Sequence, residues 1–91
     1  MKFQKRLRGV SNGQMSDDAL TKLLRDLSRE TIALSEGGRT SWALIVSRWE
    51  LNNGYFDIEF SEQALALMEA TQDKRAELVQ VLFEHITTTV H

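Results

Sequence analysis

The chain has 91 residues, 42% of them apolar and 26% charged, with a formal net charge of −2. That is the size of one small domain, and the composition is globular rather than disordered. With no cysteine, disulfides, zinc–thiolate sites and thiol nucleophiles are excluded; the longest apolar run, "WALIV" at residues 42–46, is far shorter than the ~20 residues that span a bilayer.

Residues 1–10 read as a basic N-terminal strand or arm. Phe3, Lys5 and Leu7 fall on one side, and Lys2, Gln4, Arg6 and Arg8 on the other. The basic start is not followed by an apolar stretch of signal-peptide length. "GVSNGQ" at residues 9–14 has turn composition. A helix then starts at Ser16, a good N-cap, with Asp17 and Asp18 in the first turn, where the helix dipole favours negative charge. Leu20, Leu23, Leu24 and Leu27 form its apolar stripe. Thr31 and Leu34 continue the stripe less cleanly, and Gly37-Gly38 is the expected stop.

A β-hairpin follows. In "SWALIVSRWELNNGYFDIEF", residues 41–60, Asn53-Gly54 separates two β-branched and aromatic runs. A two-residue turn puts Asn52 opposite Tyr55, Leu51 opposite Phe56, Trp49 opposite Ile58 and Ser47 opposite Phe60. Ala43, Ile45, Trp49, Leu51, Phe56, Ile58 and Phe60 then share one side, whereas a one-residue slip would divide them. Arg48 faces Glu59, and Glu50 faces Asp57. Trp42, Leu44 and Val46 point to the opposite side of the sheet, where an apolar cluster must be covered by a helix or a partner.

Ser61 caps a second helix, with Ala64, Leu65 and Met68 on one face. Thr71, Gln72 and Arg75 would interrupt an apolar stripe running on to Leu78, Val79, Leu82, Phe83 and Ile86. The spacing therefore favours a break, with Thr71 or Asp73 as a new cap. Residues 87–91 are expected to fray. The order is β-α-β-β-α-α. The expected architecture is a single α+β domain over residues 1–91, two layers thick, with an antiparallel hairpin-based sheet and helices on one face.

No Gly-rich phosphate loop, nucleophile elbow, cofactor motif or EF-hand spacing is present. His85 and His91 lack a third ligand at zinc spacing, so no metal or cofactor is expected. The expectation is a non-catalytic protein-binding module: a small cytoplasmic regulator, inhibitor or immunity-type protein acting through its hairpin sheet face. Trp42, Arg48, Glu50, Tyr55, Asp57 and Glu59 are its candidate contacts, since Trp, Tyr and Arg dominate interface energetics and acidic faces steer basic partners. The alternatives are nucleic-acid binding through Lys2, Lys5, Arg6 and Arg8, and a structural homo-oligomer, such as a homodimer, whose hairpin or N-terminal strand pairs across a two-fold axis. Lys2, Lys5, Arg6 and Arg8 hold much of the basic charge, and the strongly acidic remainder would repel a phosphate backbone.

Overall fold

A computed structural model describes residues 3–71 and 73–88. It is an α+β domain built on an antiparallel sheet and three helices, as the sequence predicts. The elements are β1 (Arg6–Ser11), α1 (Asp17–Arg29), β2 (Thr31–Glu36), β3 (Arg39–Leu44), β4 (Val46–Asn52), β5 (Tyr55–Phe60), α2 (Glu62–Ala70), α3 (Lys74–His85) and β6 (Ile86–Thr88). Four strands make the main sheet in the order β4-β5-β1-β6, and β2 and β3 form a separate two-stranded ribbon.

The connectivity follows from the pairings. β5 runs antiparallel to both β1 and β4, so β1 and β4 are parallel with β5 between them. β1 is likewise antiparallel to both β5 and β6. Two split β-α-β units therefore interleave, the arrangement of ferredoxin-like sheets. The β2–β3 ribbon is inserted into the first unit, and the helical crossover of the second is broken in two. The predicted series of elements is retained, with β2, β3 and β6 added.

Alternation sets which side of the sheet is covered. Leu7 on β1 and Phe56, Ile58 and Phe60 on β5 are buried, whereas Arg6, Arg8 and Val10 on the same β1 are exposed. Leu20, Leu24 and Leu27 of α1, Ala64, Leu65 and Met68 of α2, and Val79 and Leu82 of α3 complete one core with Ile32, Ile45 and Ile86. Trp49 and Leu51 are half-buried against it. Phe83 lies between Phe60 and Phe3, with ring centroids 5.7 and 5.5 Å away. The cap assignments hold: Ser16 Oγ accepts from Ala19 N–H at 3.1 Å, and Ser61 Oγ accepts from Ala64 N–H at 3.4 Å. The break between α2 and α3 also holds, with Thr71 as C-cap and Asp73 as the new N-cap.

Four local expectations are corrected. The first helix ends at Arg29, not at Gly37-Gly38. The segment Thr31–Glu36 pairs with Arg39–Leu44 instead, and the glycines are the turn between them, with φ of 57° and 79°. A two-residue turn of this kind has positive φ at both positions, which glycine supplies without a Cβ clash. Second, the basic segment read as a strand or arm is not a projecting arm: Arg6–Ser11 is the interior strand β1, paired on both sides by β5 and β6 and so closed to pairing across a two-fold axis. Third, Thr87 and Thr88 do not fray: they pair with Val10 and Gly9, while residues 89–91 lie outside those described.

The fourth correction concerns the central strand. The register near the turn is as predicted, from Asn52–Tyr55 back to Arg48–Glu59. There it shifts by one: Val46, not Ser47, lies opposite Phe60. Ser47 is the extra residue of a β-bulge, and a bulge reverses the phase of alternation beyond it. Val46 therefore turns into the core, at 1% exposure, and leaves the predicted outer cluster of Trp42, Leu44 and Val46. Ile45, fully buried, is the pivot between ribbon and sheet. Its N–H donates to Glu30 O at 3.2 Å, and its carbonyl accepts from Ser61 N–H at 3.2 Å.

Candidate functional site

The uncovered side of the four-stranded sheet carries most of the residues singled out from the sequence. Cross-strand register arranges them in rows. Arg48, Glu59 and Arg6 form the first row, and Glu50, Asp57 and Arg8 the second. Asn52, Tyr55, Val10 and Thr87 form the third, at the hairpin turn. Arg6, Arg8, Arg48 and Glu50 are exposed, and Tyr55, Asp57 and Glu59 on the inner strand are half-buried. The face thus presents three arginines and three carboxylates with no net charge.

Its fixed point is the Arg6–Asp57 pair, which runs diagonally between the first two rows. Arg6 Nε donates to Asp57 Oδ1 at 2.9 Å and Nη2 donates to Oδ2 at 2.7 Å, a two-pronged contact that orients both groups. The Arg6 hydrogen bonds hold the Asp57 carboxyl below the usual carboxylate range; desolvation opposes this, and the charges of Arg6, Arg8 and Arg48 reinforce it. The same contact raises the already high pKa of Arg6. Glu59, Arg48, Glu50 and Arg8 are held on strands, which fixes the spacing of their backbones.

The two alternative sets of candidate residues therefore meet on one surface. Arg6 and Arg8, expected as nucleic-acid contacts, interleave with Asp57 and Glu59, expected as protein contacts. Lys5 precedes β1 and lies 3.7 Å from Glu62 at the start of α2, and Lys2 lies outside the described residues. Val10 and Thr87 complete the face and were not singled out. Val10 was accessible to sequence reasoning, because it continues the Arg6–Arg8 alternation; Thr87 was hidden in a tail read as frayed.

Trp42 is placed apart from this face, on the β2–β3 ribbon. Residues 35–42 are exposed without exception, and Trp42 and Leu44 keep 66% and 43% of their surface in solvent. Trp42 pairs with Ala33, and Leu44 with Thr31, so the four share one side of the ribbon. An open groove between ribbon and α2 is lined by Leu34, Ser41, Trp42, Leu44, Ser61 and Gln63.

The ribbon is anchored at its base by Arg75. This residue donates from Nη1 to the Thr31 carbonyl, while Nε and Nη2 donate to Asp73 Oδ1 and Oδ2 at 3.0 and 2.8 Å. Asp73 Oδ1 also caps α3 by accepting from Arg75 N–H at 2.8 Å. These hydrogen bonds, from the guanidinium first and the backbone second, lower the Asp73 carboxyl from 3.8 to about 2.

His85, in the last turn of α3, places Nδ1 2.9 Å from Val81 O. Among the described residues, no three His, Asp or Glu side chains are gathered as a metal would require, and no helix is long and apolar enough to cross a membrane. Comparison with protein families, with characterised proteins and with solved structures finds no match to this chain.

Proposed function

We propose that this protein is a non-catalytic binding module of the cytoplasm, a regulator or inhibitor, that recognises another protein through the uncovered sheet face and the Trp42 ribbon. The observation that carries the reading is Trp42 itself, two-thirds exposed on a paired strand whose outer residues are all in solvent. A large apolar side chain held outward on ordered backbone loses little conformational freedom on being covered, and tryptophan is the residue most enriched among interface hot spots. The uncovered sheet face supplies charges of both signs at fixed spacing, which suits discrimination between partners more than raw affinity.

The nucleic-acid reading has less support. Open sheets that bind single strands use aromatic side chains on their inner strands to stack bases. Here the inner positions hold Tyr55, Asp57, Glu59, Arg6, Arg8 and Val10, and the carboxylates oppose phosphate. Any binding through Arg6 and Arg8 would weaken steeply with salt.

Affinity capture from a lysate, with wild type compared against Trp42→Ala and Tyr55→Ala, tests the proposal. A protein retained by wild type and lost from both variants is the expected result. Retention indifferent to both substitutions, or no protein retained at all, overturns it.

A further inference from the structure

We infer that β4 is a homodimerisation edge, on which a second copy of this chain pairs antiparallel about a two-fold axis through Trp49. β4 is an outer strand of the main sheet, and outer strands present unpaired backbone groups. Which groups follows from the turn. Asn53 and Gly54 have φ of 51° and 79°, the two-residue turn with positive φ at both positions, whose flanking residues exchange both hydrogen bonds. Asn52–Tyr55, Glu50–Asp57 and Arg48–Glu59 are then the hydrogen-bonded pairs, because such pairs alternate along an antiparallel ladder. Trp49 and Leu51 are left aiming their N–H and C=O away from β5. No other hydrogen bond among the described residues engages either of them.

An axis at Glu50 or at Arg48 would let the outward-aimed residues bond, but it sets Glu50 opposite the partner's Glu50 or Arg48 opposite the partner's Arg48, and like charges directly opposite are destabilising. An axis at Leu51 would set Glu50 opposite the partner's Asn52 and Arg48 beyond the end of the partner's strand. An axis at Trp49 sets Trp49 opposite the partner's Trp49, Arg48 opposite the partner's Glu50, and Glu50 opposite the partner's Arg48. These Arg–Glu positions are non-hydrogen-bonded pairs, where side chains approach most closely. Among the described residues neither Arg48 nor Glu50 has an ion pair within the chain, so both are available. The charge complementarity is built into the strand's own "RWE" sequence. The bulge at Ser47 ends the regular ladder, which keeps the contact short and places the dimer among the smaller interfaces. The contact takes the β4 ends of the first two rows and leaves the Trp42 ribbon and the face residues of β5 and β1 free, so it does not depend on the partner-binding reading.

Sedimentation velocity of wild type, Arg48→Glu, Glu50→Arg and the double exchange tests this. Wild type should dimerise with rising concentration, and added salt should weaken the dimer. Each single substitution replaces two attractive pairs by two repulsive ones, which should raise the dimer dissociation constant about tenfold or more. The double exchange restores opposite charges in the same register and should recover the wild-type constant. Circular dichroism controls for folding. Inside one chain Glu50→Arg sets a cation opposite Asp57 and Arg48→Glu sets an acid opposite Glu59, so a shared loss of dimer cannot reflect a shared fold defect. A strict monomer up to about 1 mM, a dimer indifferent to the single changes, or no recovery in the double exchange overturns the inference.

Discussion

Replacing Asp73 by alanine should loosen the base of the ribbon at neutral pH and have no such effect in strong acid. The carboxylate accepts three hydrogen bonds from Arg75, and Arg75 in turn holds the Thr31 carbonyl at the start of β2. A shift from 3.8 to about 2 corresponds to a ceiling of roughly 2.4 kcal/mol at 1.36 kcal/mol per unit. The two side chains keep 21% and 30% of their surface in solvent, and screening reduces the ion-pair part to about 1 kcal/mol or less. Loss of an N-cap costs about 1 kcal/mol, and the cap bond is already one cause of the shift. The expected destabilisation by Asp73→Ala is therefore about 1.5–2 kcal/mol, less than the sum of its parts. Asp73→Asn keeps a cap acceptor and should cost about half as much. Because the folded carboxyl is lowered, its contribution is fully present above 3.8 and is lost as pH falls through about 2. Urea titrations of the three proteins, read by fluorescence of half-buried Trp49, should show a gap at neutral pH that closes near pH 2. A neutral-pH gap below about 0.5 kcal/mol, or one that persists unchanged into acid, refutes the reasoning.

Carboxyl NMR should find Asp57 titrating below the usual carboxylate range, and Arg6→Ala should return it upward; identical midpoints in the two proteins would mean the pair does not form in solution. The bulge makes a sharper contrast. Val46→Asp places a charge in the core and should cost about 3 kcal/mol or more, whereas Trp42→Ser, four positions earlier on the same face by simple alternation, should stay within about 0.5 kcal/mol; equal costs in thermal melts would return Val46 to the outer face. Gly38→Val forces a β-branched side chain to adopt φ of 79° at a cost of about 1–3 kcal/mol. Hydrogen exchange should then quicken across residues 31–44 and stay unchanged in β1 and β5, and a uniform change through the molecule would contradict an independent ribbon.

Two kinds of sequence signal carried the fold. Side chains that act locally, such as Ser16, Ser61, Asp73 and Asn53-Gly54, marked caps and a turn correctly, because their hydrogen bonds close within a few residues. The register near that turn was equally legible, since only one pairing put Trp49, Phe56 and Ile58 on a common side. What failed depended on distant partners. Thr31–Glu36 is a strand because β3 is there to pair with it, and nothing in "TIALSE" competes strongly with the end of a helix. The phase reversal at Ser47 is invisible in a count of alternating residues, because a bulge changes the count. The face was half legible for the same reason. Arg48, Glu50, Tyr55, Asp57 and Glu59 follow from the hairpin, but their meeting with Arg6 and Arg8 required β1 to be an inner strand, and only the long-range pairing of β1 with β5 and β6 determines that.

The hydrogen bond from Ile45 to Glu30 joins the two ends of the β2–β3 ribbon. Residues 31–44 thus leave the body and return to it at one place. Apart from buried Ile32 and partly buried Leu34, their contribution to the core is slight. Such a segment is a cassette: it can be lengthened, shortened or exchanged with little disturbance to the two interleaved β-α-β units beneath it. Changes in the ribbon's exposed residues are thereby separated from the folding of the body. A graft of residues 31–44 onto another sheet of the same connectivity would carry the exposed tryptophan with it.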